Sequence, residues 1–224
     1  IMAATEKGEP LELPKQIFAH GWWTFAGEKM SKSRGNFALP QPIAQVLGID
    51  ALRYFLLREM VFGQDSNFSY ESLVTRYNSD LANGLGNLAS RVLTMIQNYF
   101  EGTIPAPERI EKESERGIAV HAREDIILAK LEYDAYHFSG ALETIWSLIA
   151  AVDKYLVETK PWKLAEDAEQ RARLGTILYT AAEALRIVTA LAHPVLPHTP
   201  QQIWQQLGQV RDLPPLALDD LSWG

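Results

Sequence analysis

The chain has 224 residues, 47% hydrophobic and 22% charged, a globular composition that excludes disorder and collagen-like structure. With 28 Asp+Glu against 21 Lys+Arg the net charge is −7, so any RNA contact must come from a local patch rather than a basic coat. The absence of cysteine removes disulfides, thiolate zinc sites and cysteine nucleophiles, and fits a cytoplasmic setting.

No apolar run approaches a bilayer span, no leader with a cleavage site is visible, and no membrane partner is expected. The chain starts Ile1-Met2 and reads as a fragment of something longer.

In chain order, Lys15–Phe25 (KQIFAHGWWTF) is aromatic-rich and suits one strand or two short ones. The loop Gly27–Asn36 follows, and its span Glu28–Asn36 holds three cations and one anion, a local charge of +2. From Pro42 onward the pattern is helical. Ile43, Val46 and Leu47 share a face before Gly48. Asp50 is a suitable N-cap for a helix to Met60 with Leu52, Phe55 and Leu56 inward. Phe62–Phe68 is a turn-rich break and Ser69 can cap the next helix.

Ser79–Phe100 carries one apolar stripe: Leu81, Leu85, Leu88, Val92, Ile96 and Tyr99. After the charged connector Glu108–Arg116, a helix over Val120–Tyr136 places Ile127, Leu128 and Leu131 inward. Ser139 can cap a helix carrying Leu142, Ile145, Trp146, Ile149, Val152 and Leu156, which must end before Pro161. A long helix over Asp167–Ala192 and a short one from Thr199 to Leu207 complete a helical bundle.

Three features carry chemistry. In Lys29-Met30-Ser31-Lys32-Ser33, two ammonium groups three residues apart on a glycine-flanked loop can close on a polyphosphate, with the hydroxyls as further donors. The same composition also describes a solvated surface loop. Second, advancing about 100° per residue from Leu81 puts the apolar stripe within about 60° of it, and Asn83, Asn87 and Arg91 at about 200°, 240° and 280°. Asn and Arg on one face can read or stack on RNA bases, and equally can be an ordinary wet face. Gly84 and Gly86 in that helix imply close approach of another element. Third, Pro161-Trp162 in ETKPWKL presents an indole at a rigid corner flanked by Lys160 and Lys163; it can stack on a base or pack into the bundle. The five histidines show no ligand spacing and are read as structural. Asp50, Asp65 and Glu71 are read as caps or first-turn acids, and Tyr54, Phe55 and Trp146 as core.

KMSKS followed by Arg34-Gly35-Asn36 resembles the signature of class I aminoacyl-tRNA synthetases. The longer runs HGWWTFAGEKMSKSRGN (His20–Asn36), LGIDALRYFLLRE (Leu47–Glu59) and the following QDSNFSYESL resemble the methionyl-tRNA synthetases, and the likeness covers nearly the whole chain. It implies a mainly α chain: a helical-bundle anticodon-binding domain preceded by the C-terminal end of a class I nucleotide-binding, Rossmann-like catalytic domain. The expected divisions are 1–40 for the catalytic end, 41–78 for a connecting, stem-contact module and 79–224 for the anticodon-binding domain.

By the same resemblance, Lys29 and Lys32 would be catalytic, and Lys29, Met30, Ser31, Lys32 and Ser33 would bind ATP. Asn87, Arg91, Pro161 and Trp162 would read the CAU anticodon of tRNA(Met), and Asn83 extends the stripe. Mg²⁺ is expected with ATP, and no metal, zinc included, is expected in this piece. The His-x-Gly-His signature of such enzymes is absent, so the methionine pocket and any zinc knuckle are expected upstream, and the fragment alone should not aminoacylate. Other readings stay open: a stand-alone tRNA-binding module, a helical protein-interaction bundle, or a related class I synthetase for a branched aliphatic amino acid.

Overall fold

The computed structural model describes residues 14–108, 112–209, 213 and 221–224, and these are mostly helical. Near the N-terminus lie three short strands, β1 (Trp23–Phe25), β2 (Glu28–Lys29) and β3 (Ser66–Phe68), ordered β2-β1-β3. β1 and β2 are antiparallel, with Phe25 opposite Glu28. Ala26 and Gly27 between them have φ of 51° and 79°, the two positive values that a type I′ hairpin turn requires. β3 runs parallel to β1.

The strand expected over Lys15–Phe25 is therefore confined to its last three residues. Ile17 and Phe18 are exposed, and the Phe18 ring sits 4.0 Å from that of Tyr136. The stretch read as a turn-rich break ends in β3, because three residues are too few to show alternation.

Three helices pack on the strands: α1 (Pro40–Leu47), α2 (Ile49–Glu59) and α3 (Tyr70–Arg76). Ile43, Leu52, Phe55, Phe68 and Leu73 form a small core against which Trp23, Phe25 and Met30 pack. Val46, expected inward with Ile43, is exposed. Ser69 caps α3, its Oγ accepting from the Ser72 N–H at 3.0 Å.

α3 continues without a break into a π-helical segment, Tyr77–Gly86, and then α4 (Asn87–Phe100). The bundle is completed by α5 (Glu113–Asp134), α6 (Phe138–Thr159), the single turn α7 (Pro161–Leu164), α8 (Arg171–Ala192) and α9 (Thr199–Gln206). Its core joins Leu85, Leu88, Val92 and Ile96 to the predicted stripe of α6 and to Ile177, Leu178, Leu185 and Val188 of α8. Each such side chain gains about 1.5–3 kcal/mol by leaving water.

The helical stretch Ala168–Ala192 is long and apolar enough, by length and composition, to cross a bilayer, yet 83% of its most apolar window is buried inside the protein. It is the central helix of the bundle, touching α4, α5, α6 and α9.

The helix after the charged connector starts at Glu113, earlier than expected; residues 109–111 of that connector lie outside the described residues. Its inward face also differs. Ile127, Leu128 and Leu131 are 62%, 49% and 59% exposed, while Ile118, Ala119, Ala122, Ile126 and Ala129 are buried. α5 is apolar on two faces, so periodicity alone could not choose between them. The small side chains of Ala122 and Ala129 allow close approach to α6 and α8, and that decides it.

Ser139 is not a cap: His137 holds that position, and the Ser139 Oγ donates to the Arg58 carbonyl at 2.8 Å. Asp167, by contrast, does accept from the Glu169 N–H and opens the 3-10 turn that leads into α8.

α2 joins the two cores. Tyr54 and Phe55 are adjacent and both wholly buried, Tyr54 in the bundle and Phe55 in the small core. Arg53 donates to the Val195 and Pro194 carbonyls at 2.8 and 2.9 Å. Arg58 donates to the Ser139 Oγ at 3.2 Å and pairs with Glu143 at 2.9 Å.

Candidate functional site

The lysine loop is a closed hairpin. Met30 packs on the small core and so anchors its base. Asn36 latches it: the Ser31 N–H donates to Asn36 Oδ1 at 2.9 Å, and Asn36 Nδ2 donates to the Lys29 carbonyl at 3.2 Å. Ser31 Oγ and Ser33 Oγ lie 2.9 Å apart. Lys32–Arg34 forms one 3-10 turn closed by Gly35 at φ 71°.

The Lys29 ammonium rests 4.3 Å from the centroid of the Trp22 ring, a contact worth about 0.5–1 kcal/mol at an exposed site. Lys32 is exposed and has no ion-pair partner among the described residues. Arg34 reaches Glu28 at 3.7 Å, both well exposed, which contributes little. The loop thus offers two ammonium groups and two hydroxyls to an incoming anion. Sequence reasoning quoted Asn36 only as part of the motif and missed the latch; its place directly after Gly35 was the available signal.

The polar stripe sits where the π-helical segment becomes α4. Asn83 and Asn87 are exposed. Arg91 is half-buried, and its Nη1 pairs with Asp153 Oδ1 of α6 at 2.7 Å. Burial raises the Asp153 carboxyl above the usual carboxylate range, while Arg91 pulls it back. Asp153 was not among the sequence candidates, since nothing in its local pattern separates it from other surface acids.

Of the two glycines in the π-helical segment, Gly84 has the predicted close neighbour, whereas a Cβ on Gly86 would meet only the Leu81 carbonyl of its own segment, at 3.0 Å. A Cβ on Gly84 would meet Trp146 Nε1 of α6 at 3.2 Å, and that N–H donates to the Asp80 carbonyl at 3.0 Å. Asp80 Oδ2 also accepts from the Tyr54 O–H at 2.8 Å and from Arg76 Nη1 at 3.2 Å. Tyr54 titrates far above its ordinary value, first because it is buried and then because Asp80 faces it. This half-buried polar junction ties α2, α3, α6 and the π-helical segment together.

Contacts of Gly84 with Trp146 and of Arg91 with Asp153 advance by seven residues on both sides, so α6 runs parallel to α4. From Asp153 to the last residue of α6, Thr159, is about 9 Å along the axis. There Lys160 takes φ 48° and turns the chain into α7. Pro161 is buried, and the neighbouring Trp162 is 40% exposed. Along the bundle the order is therefore Asn87, then Arg91 with Asp153, then the Pro161-Trp162 corner. The lysine loop belongs to the other core.

Among the described residues no three His, Asp or Glu side chains converge as a metal site. A cleft of about 700 Å³ lined by Leu93, Gln97, Ile104 and Leu207 contains none of the candidate residues.

Residues 1–93 match the family model described as tRNA synthetases class I (M), and residues 116–217 match the anticodon-binding domain of tRNA ligase. The chain is 48% identical over 204 residues to the methionine–tRNA ligase of Caldanaerobacter subterraneus subsp. tengcongensis, covering 91% of this chain and 32% of that protein. Against the methionine–tRNA ligase of Bacillus subtilis the identity is 43% over 198 residues, covering 88% and 30%. The structure of Mycobacterium tuberculosis methionyl-tRNA synthetase in complex with methionyl-adenylate matches with a TM-score of 0.84 at 42% identity, covering 89% of this chain and 39% of that one. The chain therefore spans about a third of the length of the curated relatives it matches.

Proposed function

The chain belongs to the class I tRNA synthetases of the methionyl type, and from that premise we propose that its parent protein activates methionine with ATP and transfers it to tRNA(Met). In this reading Lys32 and Lys29 neutralise charge building on the leaving pyrophosphate, with Ser31, Ser33 and the loop backbone as further donors. Lys29 has to leave the Trp22 ring to do so. Mg²⁺ would arrive on the ATP phosphates: Lys29–Ser33 supplies ammonium groups and hydroxyls, which suit phosphate oxygens, and no carboxylate to hold the ion by itself. The methionine pocket would lie outside this chain, and the setting would be the cytoplasm.

Asn87, Arg91, Pro161 and Trp162 would hold the anticodon. The observation that carries this half is the corner itself: a buried proline next to a tryptophan left 40% exposed, one short helical run from Arg91. An indole left this open has ring surface available for stacking on a base. Lys160 and Lys163 beside it would serve nearby phosphates. The division of labour follows 1–40, 41–78 and 79–224, with the middle module keeping the two ends in register.

Filter binding of this polypeptide to an anticodon stem-loop tests the reading. A CAU loop should bind better than a scrambled one, and Trp162→Ala should erase the difference. Equal, salt-insensitive binding would instead favour a protein-interaction bundle. ATP–pyrophosphate exchange by this polypeptide alone should stay at background; exchange above it would overturn the assignment of the remaining half-site to the rest of the parent.

A further inference from the structure

We propose that Asp153 is a specificity-determining residue that reads the exocyclic amine of a base in the bound anticodon. The inference rests on the anticodon reading above and adds a residue to it.

The argument starts from charge. A carboxylate on a face meant for a polyanion repels phosphate and lowers affinity, so its presence there needs a compensating contact. Asp153 stands at that place, its Oδ1 2.7 Å from Arg91 Nη1 with both side chains roughly a quarter to a third exposed. The pair is close to neutral, so Arg91 is a poor phosphate ligand there. What the pair presents instead is a row of guanidinium donors beside a carboxylate acceptor. Asp153 Oδ2 makes no hydrogen bond with any described residue.

A donor beside an acceptor complements a base edge with the opposite order. Cytosine offers the N4 amine next to the N3 acceptor, and adenine offers the N6 amine next to N1. Uracil and guanine reverse both positions, placing a carbonyl against the carboxylate and an N–H against the guanidinium. The pair therefore accepts the amino bases and repels the keto bases, using repulsion as well as attraction. A CAU loop has two amino bases, at its first and second positions.

The test uses this polypeptide and four anticodon stem-loops: CAU, UAU, CGU and a scrambled loop. The wild-type chain is expected to prefer CAU over UAU or over CGU by about tenfold or more. In Asp153→Asn, whose amide can turn to offer either a donor or an acceptor, that preference should shrink to within about threefold. A second probe needs no variant. CAU loops carrying 2-pyrimidinone for cytosine, or purine for adenine, lack one amine, and the wild-type chain should bind one of them about tenfold less tightly. Asp153→Asn should register that loss weakly.

A residue that only positions Arg91, whose guanidinium cannot accept from an amine, would leave the amine-deleted loops penalised as much in Asp153→Asn as in the wild-type chain. That outcome, full preference kept in Asp153→Asn, or wild-type indifference to both missing amines overturns the inference alone. A wild-type chain that fails to separate CAU from the scrambled loop overturns the anticodon reading and this inference with it.

Discussion

Asp50 and Thr199 are 149 positions apart in the chain and 2.6 Å apart in space, the Asp50 carboxylate accepting from the Thr199 backbone N–H. The same carboxylate accepts from the His198 N–H at 3.2 Å and lies 3.0 Å from its ring Nδ1. Expected to cap its own helix, Asp50 instead caps α9. One turn along α2, Arg53 takes the Pro194 and Val195 carbonyls. One face of α2 thus supplies a cation to the chain leaving α8 and an anion to the start of α9.

Removing that cap should matter at neutral pH and not in acid. Burial raises the Asp50 carboxyl, but the hydrogen bonds from Thr199 and His198 outweigh it and hold it below the ordinary carboxylate value. Its stabilisation is therefore complete above about pH 4 and is lost as the pH falls through the lower folded value. Asp50→Asn should cost about 1–2 kcal/mol at pH 7, and the stability curves of the two proteins, followed by circular dichroism, should converge in acid.

Asp125 has the opposite sign. Burial pushes its carboxyl up to about 6, with His121 at 3.3 Å opposing the shift and Glu124 adding to it. The folded state then holds this proton more tightly than the unfolded one, so stability should fall between about pH 4 and pH 6 and level off above. Asp125→Asn should flatten that slope and raise stability at pH 8 by on the order of 2 kcal/mol in thermal melts.

Two adjacent residues of α5 should respond very differently to the same change. Ile126→Ala empties a buried site and should cost about 2–4 kcal/mol. Ile127→Ala, at 62% exposure, should stay within about 0.5 kcal/mol. Urea unfolding of the two variants reads the orientation of the helix directly.

Two helical glycines should also part company. A Cβ on Gly84 presses on an indole already committed to the Asp80 carbonyl, so Gly84→Ala should destabilise by about 1 kcal/mol despite its better helix propensity. Gly117 in α5 has open space around it, and Gly117→Ala should stabilise by about 1 kcal/mol.

Asn36 should govern the lysine loop. Asn36→Ala removes the acceptor for the Ser31 N–H and the donor to the Lys29 carbonyl. Hydrogen exchange at the Ser31 amide should accelerate several-fold, while the global unfolding temperature changes little.

Local chemistry made much of this protein legible in its sequence. The stripe from Leu81 to Ile96 and the stripe on α6 each have one apolar face, and a one-faced helix has only one way to turn. Pro161 ends α6 whatever surrounds it, and the lysine motif announces itself by residue type and spacing. Other choices needed the folded chain. α5 is apolar on two sides, and its inward face follows from which side packs most closely on α6 and α8. Asp50 finds its helix terminus 149 positions away, and Arg91 meets Asp153 only because α4 and α6 run side by side. Periodicity records which faces a helix has; which partner a face or a charge meets is settled by long-range packing, and no local pattern encodes it.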